Sequence, residues 1–272
     1  MDPVRVFAGA LTGFVVGMTG VGGGALMTPI LLFLFGTAPL TAVGTDLWFA
    51  AITKLAVSGL HLRSKVIDWP IVAWLWMGSL PLSLLTVAWI ASRPADPGIV
   101  VMVRGAIGVA VCLSALSLLF QSRLRPSADR AGTDAGMSSD SAPVAARTWR
   151  WERALTVATG ALLGVLVTLT SVGAGALGAV CLYHLYPRRL TPARLVATDI
   201  AHAIPLALCA GVGHLAVSHV DGSLLRELLV GSIPAALAGA ALSGRVPHVF
   251  LRTALGAMLL VVGLLMLGAA IR

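Results

Sequence analysis

Long stretches without any charged residue constrain this chain more than any other feature. Between Arg5 and Asp46 there is no Asp, Glu, Lys or Arg. Similar gaps run from Asp68 to Arg93, Arg104 to Arg123, Arg153 to Arg188, Asp199 to Asp221, Glu227 to Arg245 and Arg252 to Arg272. A membrane-spanning helix needs about 17 to 25 mainly apolar residues. The sequence therefore predicts an all-α polytopic membrane protein, which we expect in the cytoplasmic (inner) membrane.

Composition and charge support this class and exclude others. Only 11% of the residues are charged and 58% are hydrophobic, whereas a soluble domain has about 25% charged residues. The net charge of +8 lies mainly between the apolar segments, as the positive-inside rule predicts, so we expect no nucleic-acid partner. Cys112, Cys181 and Cys209 stand singly, without the spacing of a metal site or a disulfide framework. We expect no metal and no cofactor.

The chain contains an internal repeat. Residues 10–26 read ALTGFVVGMTGVGGGAL, and residues 161–177 read ALLGVLVTLTSVGAGAL. Further on the match continues at an offset of 153 and pairs Thr45-Asp46 with Thr198-Asp199, His61 with His214, Asp68 with Asp221 and Pro81 with Pro234. These matches predict two homologous membrane repeats, residues 1–120 and 151–272. We interpret residues 121–150, rich in Ser, Ala, Asp, Gly and Arg, as a flexible cytoplasmic linker.

Each half is predicted to contain four hydrophobic segments. We place them at 4–36, 41–61, 69–92 and 98–120, and at 153–187, 192–214, 222–243 and 248–271. The first segment of each half is too long, because a continuous helix of that length would exceed the hydrocarbon core of about 30 Å. Glycine clusters near the middle predict that both are broken. Broken helices occur in membranes only where the freed backbone is buried in protein or lines a cavity.

The broken segments leave two topologies open. If they are re-entrant hairpins, the two pseudo-symmetric halves are inverted, and if they span the membrane, the halves are parallel. The distribution of Lys and Arg favours the inverted arrangement slightly, chiefly through Arg188, Arg189 and Arg194.

A helix that begins inside the membrane exposes unpaired backbone N–H groups and the positive end of its dipole, which together form an anion site. We therefore predict two anion sites, with Thr28 as an added hydroxyl donor. Their candidate residues are Thr19, Gly20, Gly22, Gly23 and Gly24 in the first half, and Thr170, Ser171, Gly173 and Gly175 in the second. The alternative explanation is close helix packing of the GxxxG kind.

Ionisable residues inside apolar segments are expensive and are functional candidates. Asp199 and His202 share a helical face and are candidates for a proton-accepting pair. Asp46 is a separate candidate for accepting a proton, although a role as a helix cap would also explain it. Lys54 lies in an apolar context, where it can neutralise an anionic substrate, pair with a carboxylate or extend to the interface. His214 is expected to complement the dipole at a helix end.

The pattern GxGGG, then proline, then a short loop into AVGTDL, with a weaker second copy, resembles the sulfite exporter TauE/SafE family of membrane permeases. The resemblance covers nearly all of the chain outside the linker. It implies secondary transport of small anions, chiefly sulfite and organosulfonates, usually as export and coupled to protons. Thr45 and Thr198 of the Thr-Asp pairs are further substrate-binding candidates, although Thr-Ser is more often expected at these positions of the family. The second copy departs from the pattern, since Gly173-Ala174-Gly175 contains fewer glycines than GxGGG and Val180 replaces the proline.

The leading expectation is a secondary transporter that exports a small oxyanion with proton coupling, with Asp46, Asp199 and His202 as proton-coupling residues. Because no nucleotide-binding loop is present, the energy must come from an ion gradient. An anion importer or channel is the alternative. An intramembrane enzyme or a membrane assembly factor is disfavoured, and we expect no enzyme activity. Expected partners are a small anion, protons and the bilayer, and a homodimer remains open.

Overall fold

The computed structural model describes residues 2–19, 24–61, 67–93, 97–124, 148–173, 175–187, 189–217, 219–242 and 248–271. This part of the chain is helical, with short connections and no strand, which confirms the all-α prediction. Its helices are α1 Pro3–Thr19, α2 Gly24–Phe33, α3 Pro39–His61, α4 Trp69–Ala91, α5 Pro97–Leu124, α6 Thr148–Thr170, α7 Ala176–Leu185, α8 Pro192–Ala216, α9 Gly222–Leu242 and α10 His248–Ile271. Most of the predicted linker, residues 125–147, lies outside the described residues.

Several helices are long and apolar enough to cross a membrane, which supports a multi-pass membrane protein. Among the described residues these spans are Pro39–Ser58, Trp69–Ala91, Gly98–Leu119, Trp151–Thr170, Arg194–Ala216 and Gly222–Leu242. Helix α7 has only 10 residues, or about 15 Å at 1.5 Å per residue, and is too short to span.

Helices α6 and α7 form a hairpin. Gly178, near the start of α7, lies against Leu163 of α6. Tyr186, just after α7, shares a hydrogen bond of 2.6 Å with Thr156, earlier in α6. Later residues of this segment therefore contact earlier residues of α6, which means that α6 and α7 are antiparallel. The second overlong segment turns back toward the linker end of α6.

Glycines let the first helix of each half lie backbone to backbone against a helix of the other half. Gly13 of α1 contacts the main chain of Ser232 in α9, and Gly164 of α6 contacts that of Ser79 in α4. A Cβ atom at either glycine would overlap these backbone atoms. The two contacts are equivalent under the repeat, since Gly13 matches Gly164 and Ser79 matches Ser232.

Helices α3 and α8 pack against each other in opposite directions. The indole Nε1 of Trp48 donates to the Gly211 carbonyl at 3.0 Å. Gly44, one turn earlier in α3, contacts His214, later in α8. Helices α5 and α10 are likewise antiparallel, since Gly108 contacts Leu267 while Gly256 contacts Leu119.

The main core lies where α3, α5, α6 and α8 meet. Leu47, Val103, Val167 and Leu206 are each no more than 1% exposed and belong to one buried cluster. Burial of side chains on this scale stabilises the packing around the α6 to α7 turn, because dense interiors resist displacement of neighbouring groups. The turn is thereby held among four packed helices.

Candidate functional site

Asp46 is the eighth residue of α3 and is fully buried. The hydroxyl of Thr28 in α2 donates to its Oδ2 and also lies 3.4 Å from the Thr170 carbonyl at the end of α6. The other carboxyl oxygen, Oδ1, has no hydrogen-bond partner among the described residues. Asp46 thus joins α2, α3 and the end of α6 while keeping one oxygen available.

The chain between α6 and α7 is shaped by left-handed backbone angles. Ser171 has φ of 56°, Gly173 of 121° and Gly175 of 155°, and such angles favour glycine. The Gly173 carbonyl accepts the N–H groups of Gly175 at 2.8 Å and of Gly178 at 3.1 Å. The Ser171 hydroxyl is buried beside Asp46 and has no hydrogen-bond partner of good geometry within the described residues.

The first turn of α7 faces Asp199 of α8. An Asp199 carboxyl oxygen occupies the place where a side chain at Gly178 would begin, so only a glycine there admits the carboxyl group. In the described part of the chain, the N–H groups of Ala176 and Leu177 have no hydrogen-bond acceptor. This helix start therefore combines free backbone donors with a carboxyl group that is 3% exposed.

Lys54 is a buried cation near both carboxyl groups. It is 5% exposed and lies within electrostatic range of Asp46 and of Asp199. Along α3, Lys54 stands eight residues beyond Asp46, or about 12 Å. The sequence predicted each of these residues separately, and the structure brings the three together around the α6 to α7 turn.

His202 is fully buried but is not hydrogen-bonded to Asp199. Its Nε2 lies 3.0 Å from the Ser79 hydroxyl, and its Nδ1 has no partner among the described residues. Trp76 donates its indole N–H to the His202 carbonyl at 3.2 Å. These contacts attach α8 to α4, and the Asp199 and His202 pair remains a prediction.

Thr45 and Thr198 make equivalent contacts in the two halves. The Thr45 hydroxyl accepts the backbone N–H of Asp221 at 3.0 Å, and the Thr198 hydroxyl accepts that of Asp68 at 3.1 Å. Each threonine thus fixes the start of a helix from the other half. Both side chains are fully buried, one residue from the carboxyl groups of the site.

The remaining candidates lie at or near the ends of α1 and α6 and the start of α2. The Thr19 hydroxyl donates to the Val15 carbonyl at 2.7 Å, one turn earlier in α1. Thr170 donates to the Leu166 carbonyl at 2.6 Å and accepts the N–H of Val172 at 3.1 Å, so it caps the end of α6. Gly24 begins α2. Three further candidates lie outside the described residues: Gly20, Gly22 and Gly23.

Two features were missed by sequence reasoning. Asp68 is 4% exposed and forms a two-point ion pair with Arg189, with both distances 3.1 Å, while Arg194 lies 3.9 Å away. The other feature is the burial of His214, whose Nε2 lies 2.9 Å from the Thr168 carbonyl. The repeat match of His61 with His214 was the available signal, but the helix-end position was interpreted as a complement to the helix dipole.

Buried carboxyl and ammonium groups around a turn between apolar helices define the class of this chain: a multi-pass membrane protein with an internal polar site. Comparison with known proteins is consistent with this class. The chain matches the family described as sulfite exporter TauE/SafE over residues 5–266, and it belongs to that family. The resemblance seen in the sequence is thereby confirmed.

Three relatives from Bacillus subtilis (strain 168) are named probable membrane transporter proteins. YjnA is 34% identical over 271 residues, which cover 95% of this chain and 97% of the relative. YunE is 24% identical, with 88% of each chain covered. YdhB is 27% identical, with 94% of this chain and 96% of the relative covered. No solved structure matches this chain.

Proposed function

We propose that this protein is a secondary transporter that exports a small oxyanion, sulfite or an organosulfonate, across the cytoplasmic membrane with proton coupling. The observation that carries the proposal is the burial of Lys54 within electrostatic range of two buried carboxyl groups, Asp46 and Asp199, the second of which faces the start of α7. Buried charges on membrane helices are costly and mark ion pathways. The family description and the names of the relatives support the same function.

The anion binds at the start of α7, between the Lys54 ammonium and the free N–H groups of Ala176 and Leu177. Amide donors at a helix start bind anions without adding a mobile charge. The Ser171 hydroxyl, which has no partner of good geometry among the described residues, supplies a further donor. These donors match the oxygens of a sulfonate or sulfite group.

Protonation of the carboxyl groups controls anion binding. With Lys54, Asp46 and Asp199 all ionised, the site carries one net negative charge and repels an anion. Each proton taken up by a carboxyl group removes one negative charge, so the site accepts an anion more readily after protonation. Anion and proton binding are therefore positively linked, so the two cross the membrane together, and net export requires an outward anion gradient larger than the inward proton gradient.

The topology of this proposal is that of two inverted repeats, residues 1–120 and 151–272, joined by a cytoplasmic linker. The hairpin of α6 and α7 and the antiparallel packing of α3 against α8 support it, because α3 and α8 are equivalent under the repeat and run in opposite directions. In inverted-repeat transporters the substrate site lies near the membrane midplane, at broken helices.

The test is counterflow in proteoliposomes with labelled sulfite and labelled ethanesulfonate. Ethanesulfonate stays a monoanion over the working pH range, so any pH dependence of its binding belongs to the protein. We expect saturable exchange, tighter apparent binding at lower pH, and accumulation driven by a pH gradient. Saturable exchange of neither anion would overturn the proposal, and flux that never moves against a gradient would identify a channel.

A further inference from the structure

Two histidines meet at the end of α6 remote from the linker. The ring centroids of His214 and His219 lie 6.0 Å apart, and the His219 N–H donates to the His214 carbonyl at 2.9 Å. His214 is 1% exposed, whereas His219, in the connection from α8 to α9, is only partly buried. The pair leads from a partly exposed connection into the interior.

The partner of His214 fixes its tautomer. A carbonyl only accepts hydrogen bonds, so the contact with Thr168 requires a proton on Nε2, and the neutral ring has its lone pair on Nδ1. That Nδ1 is buried and has no hydrogen-bond partner in the described part of the chain, and the same holds for Nδ1 of His219. His214 can therefore take up a second proton on Nδ1 without losing its bond to Thr168.

The last turn of α6 connects this pair to the buried carboxyl group of Asp46. The Thr168 carbonyl contacts His214. Two residues later, the Thr170 carbonyl contacts the Thr28 hydroxyl, which also donates to Asp46. On α3, Gly44 contacts the His214 side chain and lies two residues before Asp46. The histidines and Asp46 thus flank the same helix end.

Few ionisable groups surround His214. Helices α4 and α6 face this part of α8 with uncharged groups, the Val87 side chain and the Thr168 carbonyl. The titratable groups on the other elements packed there are His219, whose ring faces His214, and Asp46 and Asp221, each two residues away from a residue that contacts His214. Burial lowers the pKa of His219 below its ordinary value, so its neutral form is favoured near pH 7 and a proton taken up there is readily passed on.

We propose that His219 and His214 form the proton route between this end of the protein and Asp46. The inference rests on the proposed proton-coupled transport. A proton from solvent binds His219 and passes to Nδ1 of His214, and the resulting imidazolium delivers its proton to the Asp46 carboxylate. Both rings end neutral and Asp46 ends as the acid. Histidine suits this transfer because small changes in its surroundings shift its protonation across neutral pH.

The experiment compares His214→Gln and His219→Gln with His184→Gln in proteoliposomes, using labelled ethanesulfonate. Glutamine retains an N–H donor near the position of Nε2 but cannot carry a second proton. His184 is the matched control, since its ring also contacts a helix carbonyl, that of Val180 at 2.9 Å, but is exposed. Exchange is measured at equal pH on both sides, and accumulation is measured with an imposed pH gradient.

We expect His214→Gln to keep its exchange rate at equal pH while gradient-driven accumulation falls about a hundredfold or more, the scale on which loss of a proton-transferring group acts. His219→Gln should show a smaller loss of the same kind, and His184→Gln should match the wild type. If gradient-driven accumulation survives in both His214→Gln and His219→Gln, the proton route is wrong but the proposed transport function still stands. Absence of exchange in the wild type would instead overturn the proposed function. His219→Gln decides the matter if His214→Gln fails to fold, because His219 lies in a connection.

Discussion

The hydroxyl of Thr28 donates to the buried carboxyl group of Asp46, so the short helix α2 is bonded to the helix that carries both Asp46 and Lys54. The same hydroxyl reaches the end of α6 at the Thr170 carbonyl. One threonine thereby links α2 and the end of α6 to the proposed site.

Thr28→Val tests this link. Valine keeps the size of the side chain and removes the donor, which leaves a buried acceptor unsatisfied at a cost of about 1 to 3 kcal/mol. We expect the apparent affinity for ethanesulfonate to change about tenfold, which corresponds to about 1.4 kcal/mol. The control is Thr156→Val, which removes a buried hydrogen bond to Tyr186 away from the site. Equal effects of Thr28→Val and Thr156→Val on affinity would contradict a specific role of Thr28 at the proposed anion site.

Lys54→Met tests the charge at the centre of the site. Methionine keeps an unbranched chain and removes the ammonium, so anion exchange should fall by about a hundredfold, or about 2.7 kcal/mol. Lys54→Arg keeps the charge and should retain more exchange than Lys54→Met. Thermal unfolding in detergent shows whether either variant is folded. A folded Lys54→Met protein with wild-type exchange would remove Lys54 from the site.

Alanine substitutions test the backbone contact between α1 and α9. A Cβ at Gly13 would overlap the main chain of Ser232, and overpacking of this kind costs about 1 to 3 kcal/mol. Gly13→Ala and the equivalent Gly164→Ala should lower the melting temperature. Gly105 of α5 has no atom within 4 Å of the added Cβ, so Gly105→Ala should raise stability by up to about 1 kcal/mol through helix propensity. Equal melting temperatures for the three variants would contradict this packing.

Asp221 makes part of the stability depend on pH. Its carboxylate accepts the N–H of Leu224 and the hydroxyl and N–H of Ser223, and these hydrogen bonds hold its pKa below the ordinary value of 3.8. A lowered pKa in the folded state means that this stabilisation is present above the unfolded value and is lost as the pH falls through the folded value. Asp221→Asn should therefore melt lower than the wild type at pH 6, with the difference shrinking below pH about 4. A constant difference down to pH 3 would contradict it.

The sequence by itself determined the membrane class, the repeat and the approximate places of the helices. Charge-free runs specify membrane helices because unpaired charges are too costly in hydrocarbon. Glycine clusters inside overlong segments predicted an interruption, and the turn from Ser171 to Gly175 is one. These properties are local, because they depend only on consecutive residues and on the spacing between them.

Only the tertiary structure decided which polar residues share a site. Asp199 and His202 lie three residues apart, yet His202 bonds Ser79 of α4 while Asp199 faces α7 and Lys54 of α3. His214, expected only to complement a helix dipole, is buried against α6 because α8 packs there. A residue type fixes what a side chain can donate or accept, but its partners depend on how helices distant in sequence pack, and that packing is set by glycine contacts between the two halves.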